Sequence, residues 1–132
     1  MLMRQLDRDL HPLGLSLHDY EILVELSEAP GHQLRMTELA DRTAQSRSRL
    51  SHQVSRMEDK ELVRREECAG DKRGTFAVIT PRGMATIEQL APSHVASIRR
   101  HFIDHLSPDQ LAALSVSFTP VLKRLGRIRD RD

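Results

Sequence analysis

The sequence predicts a mainly α-helical fold with one small β-hairpin, and three observations carry that prediction. Apolar residues recur at helical spacing along most of the chain. Aromatic residues are scarce, with no Trp, one Tyr and three Phe, so the core must be filled by Leu, Ile, Val, Met and Ala, a set rich in strong helix formers. One pair of strand-like runs, 62–68 and 75–80, flanks the turn-forming segment Ala-Gly-Asp-Lys-Arg-Gly, which reads as a hairpin.

The first helix covers about Met1 to Leu10, with Leu2, Met3, Leu6 and Leu10 on one side, and is ended by His11, Pro12 and Gly14. Ser16 opens the second, with Asp19 in capping position and Leu17, Tyr20, Leu23, Val24 and Leu26 as its apolar face; Pro30 and Gly31 stop it. After an extended piece at 34–36, Thr37 is placed to cap a short helix, 38–42, that buries Leu39 and Ala40. A further helix runs from about Ser46 to Lys60 with Leu50, Val54 and Met57 inward. Two helices joined by a tight turn, the second basic, form a helix-turn-helix, and the hairpin that follows is a wing. Thr80-Pro81 starts a long helix to about His105, carrying Met84, Ile87, Val95, Ile98 and Phe102, with a kink expected at Pro92. Ser107-Pro108-Asp109-Gln110 is a capping box that opens the last helix, with Leu111, Leu114, Phe118, Val121, Leu122 and Leu125 and a bend at Pro120.

A length of 132 residues suits a single domain, 1–132, in which 16–83 form the winged helix-turn-helix and the terminal helices, 1–12 and 84–132, form a dimerisation region. The one cysteine, Cys68, excludes an internal disulfide framework and any multi-cysteine zinc motif. The amino terminus lacks the layout of a signal peptide, and no apolar run approaches the roughly 18 residues of a membrane span. A cytoplasmic protein without membrane contact is expected.

The net charge of +1 conceals an uneven distribution. From Arg42 to Met57 the chain has Arg42, Arg47, Arg49, Arg56 and His52 and no acidic residue. A helix reads base edges when it fits the major groove and presents donors and acceptors there. With Leu50, Val54 and Met57 turned inward, Arg47, Ser48, Ser51, His52 and Ser55 face outward, Arg49 and Arg56 flank them, and Gln45 and Ser46 lie where free backbone amides attract phosphate. Thr37 joins this set from the preceding helix. Asp71, Lys72 and Arg73 occupy the hairpin tip, from which Arg73 can enter a minor groove while Asp71 orients it. The expected partner is double-stranded DNA carrying an inverted repeat, bound by a homodimer, because two-fold symmetry reads a palindrome.

Asp71-Lys72-Arg73 followed by Ala77-Val78-Ile79-Thr80-Pro81-Arg82-Gly83 resembles the wing and strand-to-helix junction of the MarR (multiple antibiotic resistance regulator) family of winged-helix transcription factors. Leu39-Ala40 and Leu62-Val63-Arg64-Arg65 extend the resemblance over nearly the whole chain. It implies a transcriptional regulator, a repressor, with 46–56 as recognition helix, Arg73 as minor-groove finger and the first and last two helices as dimer interface. Two departures are visible: Glu61 stands where the family usually has glycine after the recognition helix, disfavouring a left-handed cap there, and the first helix is shorter than usual. The resemblance also implies a small-molecule effector, here around Leu17, Tyr20, Val24, Ile98 and Phe102.

No nucleophile with its base, paired carboxylate site or phosphate-cradling glycine loop occurs at recognisable spacing, so neither catalysis nor a cofactor is expected. His101 and His105 have the i, i+4 spacing of a chelating helical pair, which His18 and Glu21 can complete, although histidines in a last helical turn are favoured by the helix dipole alone. Cys68, on the wing strand near Lys72 and Arg73, reads as a small strand residue rather than a redox switch. A zinc-responsive regulator and a winged helix that binds protein are the alternative readings.

Overall fold

Helix starts are set locally. In the computed structural model, which describes residues 1–67, 70 and 74–127, Ser16 accepts a hydrogen bond from the Asp19 amide and Asp19 accepts one from the Ser16 amide, so α2 (Leu17–Glu28) begins in a closed capping box. Ser107 and Gln110 repeat the arrangement at α6 (Pro108–Arg124), and Thr80, followed by proline, caps α5 (Pro81–His101) through the Gly83 amide. α1 (Leu2–Leu10) closes in a 3-10 turn, His11–Leu13, and Gly14 at φ +75° releases the chain, a conformation that favours glycine.

α3 (Met36–Arg42) starts earlier than the sequence suggests. Thr37 is therefore not its cap: Arg35 holds the N-cap position, its side chain making no capping hydrogen bond to the helix, and Thr37 is exposed within the first turn. α4 (Arg47–Asp59) is capped by Ser46. The turn between them holds Ala44 at φ +53°, and Thr43 Oγ1 donates to the Leu39 carbonyl at 2.7 Å.

The hairpin pairs β2 (Val63–Glu67) with β3 (Thr75–Ile79), antiparallel, with Val63 opposite Ile79. The extended piece before α3 forms a third strand, β1 (Gln33–Arg35), on the other edge of β3, with Leu34 opposite Ala77. Leu34 and Ala77 are buried, and this pairing roots the wing in the helical core.

That core lies between α2, α3, α4, the sheet and the first half of α5, with Ile22, Leu23, Leu26, Leu39, Leu50, Val54, Met57, Val63, Ile87 and Leu90 buried. Each such aliphatic side chain contributes about 1.5–3 kcal/mol on leaving water, enough to hold one face of α4 inward and leave the other outward. Gly83 permits the closest approach: a Cβ there would lie 2.2 Å from the Leu62 carbonyl oxygen and 2.7 Å from Ile79 Cγ1. Glu61 does adopt the left-handed conformation, φ +59°, against the sequence expectation. Its carbonyl accepts from Thr80 Oγ1 at 2.6 Å, its carboxylate pairs with Arg82 at 2.8 Å, and the next amide, Leu62 N, closes on the Met57 carbonyl, so tertiary partners hold a turn that the residue alone disfavours.

The terminal helices differ from the expected pattern. On α5 the buried residues are Gly83, Ile87, Leu90 and Ser97, whereas Val95 and Phe102 point to solvent. The helix continues across Pro92 but ends at His101, followed by a 3-10 turn, Ile103–His105. α6 also runs through Pro120 and buries no residue: Val116, Phe118, Val121 and Leu125 are 75%, 55%, 50% and 67% exposed.

Candidate nucleic-acid interface

α4 presents the expected face. Ser46, Arg47, Ser48, Arg49, Ser51, His52, Ser55 and Arg56 are all exposed, and Gln45 is half-buried at the turn before it. Gln53, which the sequence reading did not single out, turns inward: its Nε2 donates to Asp19 Oδ1 at 3.0 Å and fastens α4 to the start of α2. A buried amide needs such a partner, and the position one residue before Val54 was the available signal.

The arginines of this region fall into two groups. Arg42 is neutralised by Glu38 at 2.8 Å and by Glu25 at 3.3 Å, and hydrogen bonding to these carboxylates raises its pKa. It is thus lost from the acid-free face, because the acids that meet it come from its own helix and from α2. Arg47, Arg49 and Arg56 have no ion pair or side-chain hydrogen bond among the described residues. Three exposed cations on α4, Arg47 on the wing flank and Arg49 and Arg56 on the flank toward α2, without counter-charge among the described residues, make a local positive field suited to a polyanion.

Arg65 on β2 joins the wing to α4. Its guanidinium pairs with Glu58 and donates to the Ser51 carbonyl at 2.7 Å, to Ser51 Oγ at 3.0 Å and to Ser55 Oγ at 3.1 Å. Ser51 and Ser55 therefore spend acceptor capacity inside the protein, which leaves Arg47, Ser48, Arg49, His52 and Arg56 as the less encumbered groups. Across the sheet, Arg35 lies over the Phe76 ring at 5.7 Å. Asp71, Lys72, Arg73 and Cys68 lie outside the described residues.

A cleft of about 330 Å³ between α4 and the wing is lined by Arg35, Thr37, Arg47, Ser51 and Arg65. On the opposite flank a second, of about 320 Å³, lies between α4 and the start of α2. A third, of about 310 Å³, is apolar and opens between α1, α2 and α5, where Leu17, Tyr20 and Val24 meet Met3, Leu6 and His94, with Glu21 and Glu25 also lining it. Of the effector-pocket residues expected from the sequence, Leu17, Tyr20 and Val24 line this cleft, whereas Ile98 and Phe102 do not. His94 packs against Tyr20 with ring centroids 4.3 Å apart and the rings tilted by 41°, and burial lowers its pKa. Desolvation likewise raises the Glu21 carboxyl.

The histidines do not assemble as their spacing suggests. Because α5 ends at His101, His101 and His105 do not share a helical face. His101 contacts Asp9 at 3.2 Å, His105 contacts the Arg100 carbonyl at 3.0 Å, and His18 pairs with Glu21 at 3.7 Å. Among the described residues no group of three or more His, Cys, Asp or Glu side chains is placed to hold a metal ion. Asp9 instead ties α1 to α5, accepting from buried Ser97 at 2.5 Å as well as from Gln5, and these bonds, that to Ser97 foremost, lower its pKa. No helix among the described residues is long and apolar enough to cross a membrane.

Comparison with known proteins agrees with this architecture. The sequence pattern of the MarR family matches residues 13–74, from the end of the 3-10 turn after α1 to the residue before β3. The chain is 29% identical over 121 residues to the HTH-type transcriptional regulator MhqR of Bacillus subtilis, covering 92% of this chain and 79% of that protein. Among solved structures it is similar to Sco3205 of Streptomyces coelicolor, a MarR family transcriptional regulator crystallised in complex with DNA, with 42% identity, a TM-score of 0.86, and 94% and 78% of the two chains covered. It is also similar to AbsC of the same organism, a MarR family transcriptional regulator, with 54% identity, a TM-score of 0.85, and 94% and 84% covered. With that identity along most of both chains, and with a helix-turn-helix and a hairpin built on the same plan, the protein belongs to the MarR family of transcriptional regulators.

Proposed function

We propose that this protein is a transcriptional repressor that binds an inverted-repeat operator in double-stranded DNA as a homodimer in the cytoplasm. The observation that carries this reading is the exposed surface of α4, where Arg47, Arg49 and Arg56 stand without counter-charge among the described residues, with Ser48 and His52 between them. The groups on this face match the donors and acceptors of a major groove flanked by phosphates. A winged helix that binds protein has no need of three unneutralised cations there. The complex of Sco3205 with DNA supports the same use of the fold.

Dimerisation accounts for α6, where Val116, Phe118 and Val121 find no cover among the described residues. Burying them against a second copy would couple two recognition helices at a fixed separation, as a palindromic site requires. The apolar cleft beside Tyr20 is the candidate effector site, and a ligand there releases DNA if it binds better to a dimer whose recognition helices have the wrong spacing.

Selection of bound duplexes from a random pool by the purified protein tests the reading. The expected product is an inverted repeat with half-sites about one helical turn apart, bound with an affinity that falls by orders of magnitude between low and moderate salt. Recovery of no enriched repeat at moderate salt would overturn it.

A further inference from the structure

The two clefts flanking α4 differ in a way that bears on how a duplex would be held. In the wing-side cleft Arg65 is already paired with Glu58 and Arg35 is laid over Phe76, while Arg47 stands without an ion pair among the described residues. The cleft on the other flank is lined by Ser16 and His18 from the start of α2, by Thr43, Ala44 and Gln45 from the turn, and by Arg49, Gln53 and Arg56 from α4. Arg49 and Arg56 have no acidic partner among the described residues. Gln45 Nε2 is shielded from solvent yet has no hydrogen-bond acceptor among the described residues, a costly state unless an acceptor arrives.

We propose that this cleft between α2 and α4 is a seat for one backbone phosphate of the bound duplex, taking charge from Arg49 and Arg56, a neutral donor from Gln45 and a contact from His18 on a second element. The proposal rests on the DNA-binding reading and adds to it a role for α2. A phosphodiester supplies what the cleft lacks, an anionic group with several acceptor oxygens. The geometry also suits a major-groove helix, because a rod lying in that groove has a strand backbone along each flank. No acidic side chain lines the cleft, whose charge comes from the two arginines; Glu21 lies 3.7 Å from His18 on its own helix, and Asp19 accepts from the lining Gln53. Phosphate contacts of this kind fix register and carry no base information.

The test uses the full-length protein and its selected duplex, with Arg56→Gln, His18→Ala and, as probe, duplexes in which single phosphates are replaced by neutral methylphosphonates. Arg56 and His18 are exposed, so both variants are expected to keep the wild-type melting temperature. Arg56→Gln is expected to weaken binding about tenfold on specific and random duplexes alike and to lower the salt slope by about one per protomer, with the same bases selected. His18→Ala should weaken binding less, by about threefold, in the same sequence-independent way. One methylphosphonate position in each half-site should reproduce the Arg56→Gln loss in wild type and cost nothing further in the variant. An Arg56→Gln protein that keeps the wild-type slope, or selects different bases, would overturn the phosphate seat while leaving the regulator reading intact. A wild-type protein that enriches no duplex would overturn both.

Discussion

The reading head, 16–83, and the terminal helix α6 are built from similar amphipathic patterns and meet opposite fates. In the head, Leu50, Val54 and Met57 recur at helical spacing and are buried against α2, α3 and the sheet. Phe118 and Val121 of α6, with Leu125 just past its end, also recur at helical spacing and remain half or more exposed. The difference teaches that periodicity specifies which face of a helix is to be covered and says nothing of what covers it. A closed core supplies the cover for the head, and a second copy of the chain is the proposed cover for α6.

Breaking the exposed face of α6 alone should have the largest effect. Phe118→Glu combined with Val121→Glu places charge where the second copy would pack, and is expected to give a monomer by analytical ultracentrifugation. Losing the tethered second half-site should weaken operator binding by about a hundredfold or more, with the thermal unfolding of the head unchanged. A doubly substituted protein that stays dimeric and binds at wild-type strength would separate α6 from dimerisation.

Breaking the head should cost stability instead. Gly83→Ala drives a methyl group into the Leu62 carbonyl and Ile79, at the junction of the hairpin with α5. The expected loss is about 3 kcal/mol by urea denaturation, with weaker DNA binding following from the unfolded fraction. Stability within about 0.5 kcal/mol of wild type would mean that the junction relaxes easily, contrary to the dense packing of the head.

The smallest effect sharpens the comparison in the opposite direction. Glu61 occupies a left-handed conformation at the end of the recognition helix, where glycine carries no Cβ penalty. Glu61→Gly removes that strain and the Arg82 ion pair, which is exposed and worth little. A net gain of about 0.5 kcal/mol is expected, read as a rise of a few degrees in melting temperature. A fall would show that Arg82 stabilises the junction more than an exposed pair normally does.

Much of the interface was readable before any coordinates. The inward triplet on α4 predicts which side chains face out, and each exposed position named there is exposed. What could not be read is which of those groups are free. Arg42 belongs to the same acid-free run as Arg47 and Arg49, yet Glu25, on α2, meets it across the fold. Ser51 looks like a base-reading hydroxyl until Arg65 arrives from the neighbouring strand. Thr37 looks like a cap because the spacing cannot tell that α3 starts at Met36.

By itself the sequence determined the helix starts at Ser16, Ser107 and Thr80, the inward and outward faces of α4 and the presence of a hairpin. Those features depend on residues close along the chain, where spacing sets geometry. Tertiary structure alone decided the third strand beside β3, the left-handed Glu61, the burial of Gln53 against Asp19 and the parting of His101 from His105. Each of these turns on a partner or a chain path set by remote packing: Gln53 meets Asp19 across 34 residues and His101 meets Asp9 across 92. A local pattern cannot specify such a meeting, because what brings the two together is the burial of apolar surface over the whole core.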